Sequence, residues 1–369
     1  MGSVVVVENV PLASMTTLRL GGPARRLITA DREEDVIEAV HEIDGKQGRL
    51  LVVGGGSNLV VSDDGFDGTV LRMATRGVDV ANASASAGAS ATGAPRQRHV
   101  TAAAGEPWDD LVARCVADGL SGVECLAGIP GLVGAVPMQN VGAYGQDVSE
   151  TIVRVRAWDR TAGRVVDFDR EACGFAYRSS VFRGREDHVI LAVTFALPEA
   201  PGGLSVPIRY AELSRALGVA EGERAPLARV RELVIELRRG KGMVLDAADP
   251  DTASAGSFFT NPILAAADVD ALRARVKPLL GPGQVMPVFP EPDGRAKVSA
   301  AWLIERAGFT KGYAAGRVAI SSKHALALTN RGGATTRELV ALARTIRDGV
   351  KTKLGVTLEN EPVFVGIAL

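Results

Sequence analysis

LAGIPGLVGAVPMQNVGAYG, residues 126–145, makes up nearly all of the longest uncharged run in the chain, and its reading decides the fold. It is long enough to span a bilayer. Five glycines, two prolines and the pair Gln139-Asn140 would, however, leave polar groups unsatisfied in hydrocarbon. The same features make a rigid, side-chain-poor loop that is too apolar for an exposed linker. Gly128, Gly131 and Gly134 would let the backbone approach a large planar cofactor that carries a pyrophosphate. Tight packing of one strand against another would also use them.

Working outward, GGGSN (54–58) directly follows the apolar run LLVV, a strand entering a glycine turn. A plain turn and a phosphate-binding turn both fit. The stretch has neither the G-x-x-x-x-G-K of a nucleotide loop nor the G-x-G-x-x-G of a dinucleotide fold. Residues 31–43 put Val36, Ile37, Val40 and Ile43 on one helical face, with Asp31 and Glu34 at capping-box spacing. A second helix is expected over EPWDDLVARCVADGL, ended by Gly119. Strands are expected at the opening MGSVVVVENVPL, at GTVLRM (68–73) and at HVILAVTFAL (188–197), with a hairpin around Arg160–Gly163. DVANASASAGASATGAPRQRH (79–99) is built almost wholly of small residues that bury little apolar area, which makes it a mobile surface insertion. The composition shift at PEAPGG (198–203) marks a domain boundary. Helices are expected after it near 225–239, 265–280 and 335–350, the last with a Thr335/Glu338 capping box, and a final strand lies within VTLENEPVFVGIA.

The 369 residues carry a net charge of −1, so no general field favours nucleic acid and anions must be held by local basic clusters. Cys115, Cys125 and Cys173 are odd in number and lack metal-ligand spacing; free thiols in a reducing, cytoplasmic setting are expected. The opening residues lack a basic start before the four valines, so they read as a strand and not as a secretory leader. SAGSFFTNP (254–262) poses a sharper question. Gly256 and Pro262 argue against a helix, and Phe258-Phe259 against a cleanly alternating strand. Ser257 then belongs either to a buried turn or to chemistry kept from bulk water.

TTLRLGG (16–22), VVGGGSNLVVSD (52–63), the 126–145 loop, CGFAYRSSVF (173–182), AGSFFTNP (255–262), AAWLIERAG (300–308) and LENEPVF (358–364) resemble, in order, the flavoenzyme family of UDP-N-acetylenolpyruvoylglucosamine reductases. The resemblance covers nearly the whole chain, apart from the insertion at 79–99. It implies an α+β protein: a two-subdomain FAD-binding fold of the vanillyl-alcohol-oxidase (PCMH) type over 1–200, and an α+β substrate domain over 201–369. The C-terminal strand, about 355–369, would pack back toward the flavin. It also implies that NADPH reduces FAD and is replaced by the enolpyruvyl ether of UDP-N-acetylglucosamine, in cytoplasmic peptidoglycan precursor synthesis. Activation by a monovalent cation is left open by the sequence; a monomer is expected, with no nucleic-acid or membrane partner and no resident metal.

The residues implied by the resemblance follow. Ser257 matches the proton donor to the α carbon, Arg178 would pair with the substrate carboxylate, and Glu361 matches the carboxylate near the reacting carbon; residue parity does not separate it from Glu359. FAD would be held by Gly54, Gly55, Gly56, Ser57 and Asn58, by Ile129, Pro130, Gly131, Gly134 and Ala135, and by Gln139, Asn140, Gly142, Ala143, Tyr144 and Gly145. Tyr177, Tyr210, Arg238, Lys241 and Asn261 would contact substrate, with Tyr210 marking the branch in which a tyrosine closes over the diphosphate. A flavin oxidase of the same cofactor fold is the rival reading. Such oxidases commonly tether flavin through histidine or cysteine, and GGGSN and its flanks hold neither, so FAD is expected to be non-covalent. AGSFF is not the G-x-S-x-G elbow of a serine hydrolase.

Overall fold

The computed structural model describes residues 5–83 and 96–369, which form two compact units that share the chain in alternating segments. Unit one takes the residues through Val10, Ala24–Gly55 and Asp67–Val244; unit two takes Pro11–Pro23, Gly56–Phe66 and Leu245–Leu369. One crossing falls between Gly55 and Gly56, inside the glycine run. The boundary anticipated near residue 200 lies within unit one, because Leu213, Val230 and Val234 beyond it join the same core as Trp108 and Phe195.

Unit one holds two main sheets. Val5–Pro11, Pro23–Ala30, Phe66–Met73 and Leu50–Val53 lie side by side in that order, the last two parallel. Arg164–Asp169, Ile152–Asp159, His188–Pro198, Gln97–Ala103 and Val78–Asn82 form an antiparallel sheet. The expected hairpin is present: Asp159 faces Arg164, and its carboxylate accepts the N–H groups of Thr161 and Ala162 at 2.9 and 2.8 Å. Both ends of the stretch read as a mobile insertion are instead paired strand, Asp79 opposite Thr101 and Asn82 opposite Arg98, and the Arg98 side chain bonds Asn82 at 2.7 Å. Residues 84–95 of that stretch lie outside the described residues.

Helix α1 (Glu33–Gly45) buries Val36, Ala39, Val40 and Ile43. The Asp31/Glu34 capping box is not formed; Arg32 is the N-cap without a side-chain cap, and its guanidinium closes on Asp35 at 2.6 and 2.8 Å. Helix α2 (Trp108–Ala117) ends just before Gly119, whose φ of +71° suits a residue without Cβ. Helices α3 (Ala211–Leu217) and α4 (Leu227–Gly240) complete the unit. The sequence reading had no counterpart for α3.

In unit two, Ser254–Ser257, Ala327–Asn330, Val318–Ile320 and Ala314–Ala315 form an antiparallel sheet. Helix α5 (Ala266–Val276) is shorter than the expected 265–280, since Pro278 cannot donate to a continuing helix. Helix α6 (Ala300–Ala307), also unforeseen, is capped by Ser299, whose hydroxyl accepts from the Trp302 N–H at 3.3 Å. Helix α7 (Thr336–Leu354) carries the expected Thr335/Glu338 capping box. Phe258, Phe259, Leu303, Ile304, Leu339 and Ile346 centre the core. The final strand is only Val363–Val365, parallel to Leu59–Val61, because Pro362 has no N–H to extend the ladder. Among the described residues no helix is long and apolar enough to cross a membrane.

Candidate functional site

In unit one the turn after Leu50–Val53 lies against the 126–145 loop. A Cβ on Gly55 would stand 2.8 Å from the Gly131 Cα, and one on Gly134 would stand 2.6 Å from the Ala104 Cβ. At Gly55 backbone meets backbone and at Gly134 it meets the Ala104 side chain, so glycine is required sterically at both, as the packing reading of the loop foresaw. The same surface is also a donor surface: among the described residues no protein acceptor receives the N–H groups of Gly54, Gly55, Ile129 or Gly131. Backbone donors left without protein partners call for an anion or water. These glycines therefore fit a pyrophosphate, the anionic part of FAD. Pro130 and Gln139 are half-buried alongside, and Ala135 is exposed.

The second half of the loop is strained. Gly142–Ala143 pairs with Gln146–Asp147 around Tyr144 and Gly145, both at positive φ (+49° and +82°), as a two-residue hairpin turn demands. Asn140 (φ +44°) and Arg178 (φ +50°) share this unusual backbone region. The segments around them are stitched in both directions. The Asn140 amide donates to the Ala176 carbonyl at 3.1 Å, while the Arg178 guanidinium donates to the carbonyls of Gly142 at 2.6 Å and Asn140 at 3.3 Å. Asp147 adds a longer ionic contact at 3.5 Å, and the guanidinium lies 5.2 Å from the Tyr177 ring centroid. Arg178 is thus a pre-oriented planar cation, a shape suited to a carboxylate.

A second cationic group surrounds Tyr144. The Lys241 ammonium bonds Glu212 at 2.6 Å and lies 5.4 Å from the Tyr144 ring, which meets the exposed Tyr210 edge-on at 5.3 Å. Burial pushes the Tyr144 hydroxyl up in pKa, so the ring stays neutral beside its cations. Burial pulls the Lys241 ammonium down, but the Glu212 bond and neighbouring charges outweigh it and leave it above the ordinary lysine value. Arg238 donates to the Met243 carbonyl at 3.0 Å, yet its Nε is buried with no partner among the described residues. Burial lowers its pKa, and an anion would relieve that cost. Sequence reading singled out Tyr144, Tyr210, Arg238 and Lys241. It missed Glu212, an ordinary first-turn acid of α3 with no local signal.

Unit two contains the segment around Ser257. The segment is a strand, where a turn seemed more natural. Ser254 faces Thr329 and Ser257 faces Ala327, so one extra residue is inserted, and Gly256 at φ +72° takes up the bulge. That bulge is why Phe258 and Phe259 can both be buried. Upstream, Asp251 accepts from the Ser322 N–H and from Arg331, each at 2.9 Å, which anchors the approach to the strand. The Ser257 side chain is half-buried, and among the described residues its hydroxyl has no hydrogen-bond partner.

Residues 359–361 run beside 258–260. Thr260 donates to the Glu359 carbonyl at 3.0 Å, and Glu361 donates its N–H to the Phe258 carbonyl at 2.9 Å. Glu361 is half-buried and Glu359 exposed, a distinction that parity did not supply. Asn58, expected at the cofactor, turns its amide toward the Glu361 carbonyl at 3.5 Å. Half-buried Ser57 precedes it, and Gly56 is buried, with a Cβ there falling 1.8 Å from the Met15 carbonyl oxygen. Asn261 accepts the Ala300 N–H at 2.9 Å through its side-chain oxygen, satisfying the first turn of α6.

Comparisons with known proteins agree with this division of parts. Residues 249–365 match the family described as UDP-N-acetylenolpyruvoylglucosamine reductase, C-terminal domain, and residues 24–169 match an FAD binding domain. The UDP-N-acetylenolpyruvoylglucosamine reductase of Thermobifida fusca is 54% identical over 362 residues, covering 98% of this chain and 98% of its own length. That of Streptomyces coelicolor is 55% identical over 364 residues, covering 98% and 91%. A crystal structure of the Thermus caldophilus reductase matches with TM-score 0.62 at 25% identity, over 98% of this chain and 99% of that one.

Proposed function

This chain belongs to the UDP-N-acetylenolpyruvoylglucosamine reductases, and from that premise we propose that it reduces the enolpyruvyl ether of UDP-N-acetylglucosamine to UDP-N-acetylmuramate with NADPH and FAD, in peptidoglycan precursor synthesis. The observation that carries the reading is the pair of touching glycine loops whose N–H donors have no acceptor among the described residues, in a loop whose second half is bonded by the pre-oriented Arg178. FAD, when bound and reduced by NADPH, would supply a hydride to the β carbon of the enol ether. Gly54, Gly55, Ile129 and Gly131 would hold its pyrophosphate through backbone N–H groups, and the apolar part of the 126–145 loop would flank its ring.

The chain's own residues handle the charge. Arg178 holds the substrate carboxylate, onto which negative charge spreads as the α carbon becomes electron-rich. Ser257 then delivers its proton to that carbon. A serine hydroxyl is a weak acid and works only at short range, against a strongly basic carbon, with bulk water kept away. Having no acceptor among the described residues suits it, since no hydrogen bond to them must be broken before transfer. Glu361 assists by polarisation, while Lys241, Arg238 and Asn261 serve the diphosphate, with Tyr210 closing over it. We further infer a cytoplasmic monomer and activation by a monovalent cation.

A two-step anaerobic titration tests the proposal. NADPH is expected to bleach the flavin absorbance, and the enolpyruvyl sugar nucleotide to restore it; bleaching without recovery would remove the proposed substrate. Denaturation is expected to release all yellow colour from the polypeptide, and retained colour would favour a covalent flavin oxidase.

A further inference from the structure

We propose that Glu212 is a positioning residue for the diphosphate subsite: it holds the Lys241 ammonium in the free protein and gives it up to the ligand's diphosphate. The proposal rests on the reading of Lys241 as a diphosphate donor. The half-buried ammonium sits between the Glu212 carboxylate at 2.6 Å and the face of Tyr144 at 5.4 Å. This pair is close to neutral, so an arriving diphosphate meets an ammonium already engaged. Removing the carboxylate charge should therefore tighten anion binding.

Glu212 also fastens more than Lys241. It lies in the first turn of α3, whose N-cap is Tyr210, and the Tyr210 carbonyl accepts the Ser214 N–H at 2.9 Å. The start of this helix is held at three points: Arg209 to Glu150 at 2.6 Å, Tyr210 edge-on to Tyr144, and Glu212 to Lys241. An anion that draws Lys241 away undoes one fastening and leaves the exposed Tyr210 on a looser segment. Ligand capture and the freedom of Tyr210 are coupled through a single carboxylate.

The test measures the inhibition constant of inorganic pyrophosphate and the KM for the enolpyruvyl sugar nucleotide, on flavin-loaded enzyme. Glu212→Gln is expected to lower both about three- to tenfold, the size of one partly screened charge contact. The limiting rate of flavin reduction by NADPH should stay within about twofold, which a general loss of structure would not allow. Lys241→Ala should weaken pyrophosphate about tenfold and abolish the effect of adding Glu212→Gln. If Glu212→Gln leaves pyrophosphate binding unchanged or weaker while Lys241→Ala still weakens it, Glu212 is only a helix-terminal acid and the reading of Lys241 stands. Tightening that persists without Lys241 overturns the coupling. No effect of Lys241→Ala removes the reading of Lys241 and this proposal with it. Should Glu212→Gln lose its flavin, Glu212→Ala, which also removes the charge, is expected to show the same tightening, and its absence counts against the proposal.

Discussion

Arg178 in unit one and Ser257 in unit two are set up in opposite ways. Around Arg178 nearly everything is fixed: its backbone is held at φ +50°, its guanidinium donates to two carbonyls, and Tyr177 lies beside it. Around Ser257 only the backbone is fixed. The unusual φ is borne one residue earlier by Gly256, and the hydroxyl has no partner among the described residues. The difference follows from what each group would do. A cation that receives charge works best already oriented, with no reorganisation at the moment of reaction. A group that gives away its only proton is hindered by any acceptor nearby.

The largest expected effect tests the second half of that contrast. Ser257→Ala should leave flavin reduction by NADPH nearly intact and slow reoxidation by the sugar nucleotide at least ~10²-fold, roughly 3 kcal/mol of barrier, as loss of a general acid does. Rapid-mixing absorbance of the two half-reactions separates these steps. Equal slowing of both would mean that Ser257 supports the strand and not the chemistry.

Arg178→Lys probes the first half. The ammonium keeps the charge but not the planar fork, so it cannot serve two carbonyls and a carboxylate with the same fixed geometry. The expected loss in kcat/KM for the sugar nucleotide is about 10- to 100-fold, the worth of one charged hydrogen bond, with NADPH oxidation much less affected. A lysine variant equal to wild type would show that charge alone suffices and that the carbonyl network is incidental.

What was legible in the sequence follows the range of the interactions involved. The Thr335/Glu338 cap and the hairpin at Arg160–Gly163 are written within a few residues of where they act. The Asp31/Glu34 cap looked equally local and failed, because the helix starts one residue later, with Arg32 in the N-cap position and Asp31 outside it. Helices α3 and α6 are too short for periodicity to stand out from chance, and α6 depends on Asn261 from a distant segment as well as on Ser299. The Ser257 strand was hidden by Gly256, which reads as a breaker in sequence and serves as a bulge in the sheet. The Arg178 network was out of reach for another reason, since its carbonyl partners lie 36 and 38 residues away and carbonyls have no sequence signature.

The smallest expected effect concerns the two glutamates that sequence alone left equivalent. Glu359 is exposed and contributes its backbone carbonyl to Thr260, so Glu359→Gln removes a solvated charge and keeps the contact. A change within about 0.5 kcal/mol in stability, and within about twofold in either half-reaction, is expected for such a surface substitution. Glu361 differs in that its N–H bonds the carbonyl next to Ser257 and its own carbonyl faces the Asn58 amide, which fixes where its half-buried side chain begins. Glu361→Gln should therefore slow reoxidation clearly more than Glu359→Gln does, with flavin reduction unchanged. The reverse order would mean that an exposed acid reaches the reacting carbon while the tethered one does not. Burial and backbone anchoring would then be poor guides to the chemical carboxylate in this segment.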